Sequence, residues 1–152
     1  MKWSITYFYN IRYMKPSQLP LSTAMFPPKF FAQTSKKNVA HLNSNGVILG
    51  LTIHEFVPQK QCECPCEKKD YNSCCFLKEY YAQLSKLNFD EVILSWNDFI
   101  EKLSNLTNIS IDEVILLVYE KPDNPCSERT TLKKWFSEHG IELQEMEVRK
   151  EV

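Results

Sequence analysis

Glycine is scarce in this chain: Gly46, Gly50 and Gly140 are the only three among 152 residues. They cannot supply a Gly-rich phosphate loop, which excludes the classical dinucleotide-binding and P-loop nucleotide-hydrolase readings. Long apolar runs are missing as well. No stretch reaches the roughly 18 residues that a membrane helix needs. The opening segment Met1–Asn10 is short, interspersed with polar residues and without a small-residue cleavage site, so it is not expected to act as an export signal. A soluble, cytoplasmic chain without membrane contact is the expectation, and the sequons at Asn105 and Asn108 are then read as chance.

An excess of one charge is lacking too. Eighteen basic and 19 acidic residues leave a net charge of −1, so no global positive field draws in nucleic acid and no strong nucleic-acid signal is present. The local group Lys29, Lys36 and Lys37 reads as a solvated loop. What remains is ordinary globular material: 43% hydrophobic and 24% charged residues. At this length one domain over residues 1–152 is expected, with a core that needs no staples.

Strand-like and helix-like segments follow one another. Lys2–Tyr9 alternates and is rich in aromatic and β-branched types, which predicts a first strand. Leu21–Met25 predicts a second. Pro27-Pro28 then forces a loop or the opening turn of a helix. Residues 32–45 read as surface loop, and Val47–Leu51 as a third strand. Thr52 with Glu55 three residues on has capping-box spacing, for a helix cut short by Pro58. Leu77, Tyr80, Tyr81 and Leu84 share one helical face, as do Ile93, Trp96, Ile100 and Leu103 in a helix over about Asp90–Leu106. The pairs Asp90–Glu91 and Asp112–Glu113 stand at element starts and read as caps.

Val114-Ile115-Leu116-Leu117-Val118 is a continuous apolar run, the mark of a strand buried on both faces of a parallel sheet. A last helix over about Ser127–His139, closed by Gly140, and an alternating strand Ile141–Val148 complete the chain. The order predicts a single three-layer α/β domain, a mostly parallel sheet covered by helices, Rossmann-like but with no Gly-rich loop. Ligands in such sheets bind beyond the carboxyl ends of the strands.

The segment leaving that central strand is Glu120-Lys121-Pro122-Asp123-Asn124-Pro125-Cys126-Ser127-Glu128-Arg129. Cys126 falls at a helix N-terminus, where free N–H groups and the helix dipole lower a thiol pKa and favour anions. Arg129, one turn in, is a planar donor for carboxylate or phosphate. A plain structural account covers the same residues: Ser127 as N-cap, Glu128 as first-turn acid, Cys126 as a small packing residue. No histidine is local to Cys126, which sets binding ahead of nucleophilic catalysis.

A run of strand, Glu-Lys-Pro, then Cys and Arg opening a helix that ends in Trp135-Phe136 resembles the uncharacterised family called domain of unknown function 488. Tyr7–Arg12, Leu21-Ser22-Thr23 and Pro27-Pro28-Lys29-Phe30-Phe31 are similar to that family's opening strand, second strand and Pro-Pro-Lys-aromatic segment. The family pattern has a His after the Cys, where this chain has Ser127. The resemblance implies an α/β fold and a pocket lined by Asn10, Arg12, Ser22, Lys29, Glu120, Lys121, Cys126 and Arg129. It implies no reaction.

Five of the six cysteines crowd a loop over about residues 59–75: Cys62, Cys64, Cys66, Cys74 and Cys75. In a reducing compartment thiolates, metal or packing are preferred to disulfides. Three or four of these thiolates suit a structural zinc, with Lys60, Lys68 and Lys69 offsetting charge. Reduced thiols or a disulfide are the alternatives.

Aromatic residues are dense in the first fifth of the chain, beside Arg12 and Lys29. Most are expected to pack the sheet, leaving Tyr9 or Phe30 as candidate stackers. Three functions follow. The first is a domain that binds or processes a small anionic, nucleotide-like molecule at the end of the central strand. The second is a protein-interaction module without catalysis, such as a phage or mobile-element factor. The third is a cysteine-dependent enzyme using Cys126.

Overall fold

The structure, a computed structural model, describes residues 1–32, 40–59, 75–122 and 127–148. Strand β1 (Lys2–Tyr7) runs into a 3-10 turn at Phe8–Tyr13, and β2 (Gln18–Ser22) follows. After α1 (Lys29–Ala32) come the two-residue strands β3 (His41–Leu42) and β4 (Ile48–Leu49) and a 3-10 turn at His54–Phe56. Helices α2 (Cys75–Ser85) and α3 (Phe89–Thr107) precede β5 (Glu113–Val118), α4 (Glu128–Glu138) and β6 (Gln144–Glu145).

Four strands form one sheet in the order β2-β5-β1-β6, with every pairing parallel. The chain is therefore an α/β domain with the predicted parallel sheet flanked by helices. Strand β5 lies between β1 and β2, and its side chains Val114 to Val118 are at most 1% exposed. Their burial, worth roughly 1.5–3 kcal/mol for each large side chain, anchors both layers. Val114, Leu116 and Val118 meet Tyr80, Leu84, Phe89, Ile93, Leu132 and Phe136 of α2, α3 and α4. Ile115 and Leu117 face Phe8, Ile11, Phe31, Val47 and Leu49 on the other side. The path from β5 through α4 to β6 crosses β1, as a parallel crossover requires.

Several boundaries differ from the expectation. The first strand stops at Tyr7, because Phe8 and Ile11 turn under the sheet as a 3-10 helix and are buried. The second strand begins three residues early and contains Pro20; β2 pairs with β5 on one side, and on the other, among the described residues, its last residue Ser22 alone bridges to Thr52, so Pro20 lies on an edge that tolerates a missing N–H. Val47–Leu51 contributes β4 to a separate hairpin with β3, a strand not expected within residues 32–45.

The Thr52–Glu55 capping box does not form. Thr52 makes a parallel bridge to Ser22, and the turn that follows is capped by Ile53 with no side-chain hydrogen bond. Helix α3 begins instead from Asn88, whose Oδ1 accepts from Glu91 N at 3.1 Å. Glu113 is no cap either. It is buried at the amino edge of the sheet, where Ser4 Oγ donates to it at 2.5 Å and Gln18 Nε2 at 2.9 Å.

Candidate binding site at the carboxyl edge of the sheet

The register sets Tyr7 beside Val118 and Ser22 beside Leu117, so β1, β2 and β5 end level with one another. The segments that leave them share one edge. Thr23 ties two of them together, because its N–H and its Oγ1 both donate to the Leu117 carbonyl, at 3.1 and 2.8 Å. One residue past β5, the Tyr119 hydroxyl donates in turn to the Phe26 carbonyl. Burial raises the pKa of that phenol, which keeps it a donor.

Large apolar side chains stay in solvent along this edge. Tyr9 is 66% exposed, Phe26 72%, Phe30 47% and Tyr119 48%. They divide by role: Phe8 and Phe31 are buried, 5.6 Å apart between ring centroids, and form the floor. Tyr119 is seated on that floor, 5.0 Å from Phe8, and the two exposed rings Tyr9 and Phe30 lie 6.1 Å from each other. The double proline explains the outward-facing Phe30. Phe31 and Ala32 N–H groups both donate to the Pro28 carbonyl, a single helical turn that buries Phe31 and turns Phe30 outward.

The expected ligand residues separate into four groups. Lys29 and Lys121 are exposed on the two segments that the Tyr119–Phe26 bond ties together. Asn10 and Ser22 are inward supports: Asn10 Nδ2 donates to Thr6 Oγ1 at 2.7 Å, and the buried Ser22 Oγ accepts from Ala24 N at 3.1 Å. Arg12 is carried away. Its guanidinium lies 4.8 Å over the Tyr13 ring, and Tyr13 lines a cavity of about 390 Å³ with Lys2, Gln18 and Glu113 at the amino ends of the strands.

Glu120 and Arg129 form the junction between β5 and α4. Ser127 caps the helix, with Oγ accepting from Arg129 N at 3.1 Å and donating to Glu120 Oε2 at 3.0 Å. The Arg129 guanidinium is buried. Its Nη1 donates to the Glu120 carbonyl at 2.6 Å, and its Nε stands 2.5 Å from Glu145 Oε1. Lys133 Nζ reaches the same carboxylate oxygen at 3.1 Å. Arg129 Nη2 has no hydrogen-bond partner among the described residues.

The arginine's charge is thus met by Glu145 within the fold. The helix tip, for its part, is occupied by Ser127 and by Glu128, whose carboxylate is hydrogen-bonded to its own backbone. Burial and the neighbouring Glu120 carboxylate nevertheless push Glu128 up to about 7. A Glu128 carboxyl raised towards neutrality is suited to proton transfer, and the neighbouring acids are unfavourable to a further anion at the tip. In the sequence Glu128 is legible only as a first-turn acid; its perturbation comes from burial and from the Glu120 carboxylate that the fold brings beside it.

Cys126 lies outside the described residues, as do Cys62, Cys64, Cys66 and Cys74. Cys75, at the head of α2, is disulfide-bonded and is not a free thiolate in this structure. Among the described residues no group of three or more His, Cys, Asp or Glu side chains is placed to hold a metal, and no helix is long and apolar enough to cross a membrane. A cavity of about 610 Å³ between the 3-10 turn at His54–Phe56 and α2 is lined by His54, Glu55, Glu79 and Lys86 among others. Compared with known proteins, the chain matches no protein-family model, no curated protein and no solved structure.

Proposed function

We propose that this domain binds a small anionic molecule with a planar ring, of nucleotide-like chemistry, at the carboxyl ends of β1, β2 and β5. The observation that carries the reading is the group of solvent-facing rings Tyr9, Phe26, Phe30 and Tyr119 at the edge where parallel sheets take their ligands. A base stacked on such a ring gains about 1–3 kcal/mol, and Lys29 and Lys121 supply the cations for a phosphate or carboxylate. Arg129 and Glu120 take a positioning role, holding the β5 exit against α4. Kinship with the domain of unknown function 488 family belongs to the same proposal, on the Glu120-Lys121 step and the Pro27–Phe31 segment.

Calorimetric titration of the whole chain with adenosine and guanosine monophosphates tests this. The expected result is binding that Phe30→Ala weakens roughly tenfold and that Lys29→Ala with Lys121→Ala weakens further. Absence of binding, or binding indifferent to all three substitutions, would overturn it.

A structural zinc on the cysteine segment, in a cytoplasmic protein, is a second proposal and rests on the C-x-C-x-C-x₇-C-C pattern. Since Cys75 is disulfide-bonded here, zinc requires the reduced chain. Native mass spectrometry after reduction and zinc addition is expected to show one bound ion. An unchanged mass would exclude the site.

A further inference from the structure

The rings of the carboxyl edge are open. A pocket for one small molecule encloses roughly 70–90% of its ligand's surface. Here Tyr9, Phe26, Phe30 and Tyr119 keep between 47% and 72% of their own surface in water, on segments that project from the sheet. A single mononucleotide laid on one of these rings leaves the others uncovered. The rings form two platforms: Tyr9 with Phe30, 6.1 Å between ring centroids, and Tyr119 with Phe26, whose backbone carbonyl accepts from the Tyr119 hydroxyl. Lys29 stands on the segment that carries Phe26 and Phe30, Lys121 on the one that carries Tyr119. Neither lysine has an ion-pair partner among the described residues. Exposed stacking surfaces in series with unpaired cations beside them are what successive bases and phosphates of an unpaired strand require.

We infer that the natural ligand of this edge is single-stranded nucleic acid, at least two consecutive nucleotides seated on the Tyr9–Phe30 and Phe26–Tyr119 platforms. This rests on the proposed nucleotide-like reading and narrows it from a free molecule to a polymer. The net charge of −1 makes the contact local, so two phosphates, one for each lysine, set the electrostatic share. A dependence of log K on log salt near −1.4 is expected, about −0.7 for each phosphate contacted on a single strand.

The test is fluorescence anisotropy with labelled oligouridylate and oligothymidylate of about eight residues, a length in the range one such surface covers. Uridine and thymidine monophosphates serve as competitors, a duplex of the same length as control, and Phe26→Ala as the variant. Phe26 is 72% exposed, so its loss leaves the core intact. Support consists of single strands binding at least tenfold more tightly than the monophosphates and than the duplex, with Phe26→Ala removing most of that gain. If strands bind no better than monophosphates, or if Phe26→Ala keeps the full gain, the polymer inference fails while the nucleotide reading stands. If neither strands nor monophosphates bind, both fail.

Discussion

Arg129 and Glu145 meet at 2.5 Å across the seam between the head of α4 and strand β6. The arginine side chain is 4% exposed and the glutamate 31%, so the pair is largely withdrawn from water. The same guanidinium donates to the carbonyl of Glu120, at the exit of β5. One side chain therefore holds three elements together at the carboxyl end of the sheet.

Removing that side chain leaves Glu145 with Lys133 as its one ion-pair partner among the described residues, and takes the Arg129 donor from the Glu120 carbonyl. Arg129→Ala is expected to cost about 2–3 kcal/mol, below the range for a fully buried pair because Glu145 is partly hydrated. Arg129→Lys recovers little, since an ammonium cannot serve both partners with the geometry of a planar fork. Urea denaturation measures both.

The raised pKa of Glu128 makes a signed prediction. Unfolded, the carboxyl titrates near 4.5; folded, at about 7. Between these values the folded state keeps a proton that the unfolded chain has released. This group's effect on stability is therefore neutral below about pH 4.5, increasingly unfavourable as pH climbs to about 7, and level above that. Glu128→Gln is expected to flatten the decline and to raise stability by on the order of 1–3 kcal/mol at about pH 8. Thermal denaturation across pH 4 to 9 of both proteins reads it; parallel curves would show that Glu128 is an ordinary acid.

Tyr80 and Tyr81 form an internal comparison. The buried Tyr80 hydroxyl donates to the Phe56 carbonyl at 2.5 Å, joining α2 to the 3-10 turn at His54–Phe56. Burial, with Glu128 nearby, drives its pKa well up, so it remains a donor. Tyr80→Phe is expected to cost about 1–2 kcal/mol by stranding that carbonyl. Tyr81→Phe, which loses solvent-exposed contacts to the Glu138 carboxylate, is expected to cost less than about 0.5 kcal/mol. Equal losses in chemical denaturation would contradict this division.

At the amino edge, Glu113 is expected to matter more than its place in the sequence suggests. Glu113→Ala leaves Ser4 Oγ and Gln18 Nε2 without their acceptor and is expected to cost about 2 kcal/mol. Lys2→Ala, whose Nζ sits 3.8 Å from Glu113 and is 59% exposed on its side chain, should leave stability within about 0.5 kcal/mol.

Much of the architecture could be read from spacing. The unbroken run Val114–Val118 announced a strand covered on both faces, and the 3.6-residue pattern from Leu77 to Leu84 announced α2. Local signals failed where tertiary contacts outcompete them. Thr52 and Glu55 had the spacing of a cap, but the edge of β2 takes Thr52 as a bridge partner and Trp96 Nε1 donates to Glu55 at 3.0 Å.

The candidate site was partly legible. Lys29 and Lys121 are named by the family resemblance and Tyr9 and Phe30 by the density of aromatics beside Lys29, and all four are exposed on segments that leave the carboxyl edge. Arg12 and Arg129 share a charge with Lys29, but only the fold shows that one lies over Tyr13 and the other is paired with Glu145. Phe26 and Tyr119 were not singled out as stackers, because a one-dimensional pattern does not show which aromatic side of a turn faces solvent.

The most direct measurement is a heteronuclear NMR titration of the labelled chain with a nucleoside monophosphate. Amide shifts are expected to gather at Tyr9, Phe26–Phe30 and Tyr119–Lys121, with little change at Arg12–Gln18 on the opposite edge. Shifts gathered at that opposite edge, or around His54 and Glu79, or no shifts at saturating ligand, would contradict this.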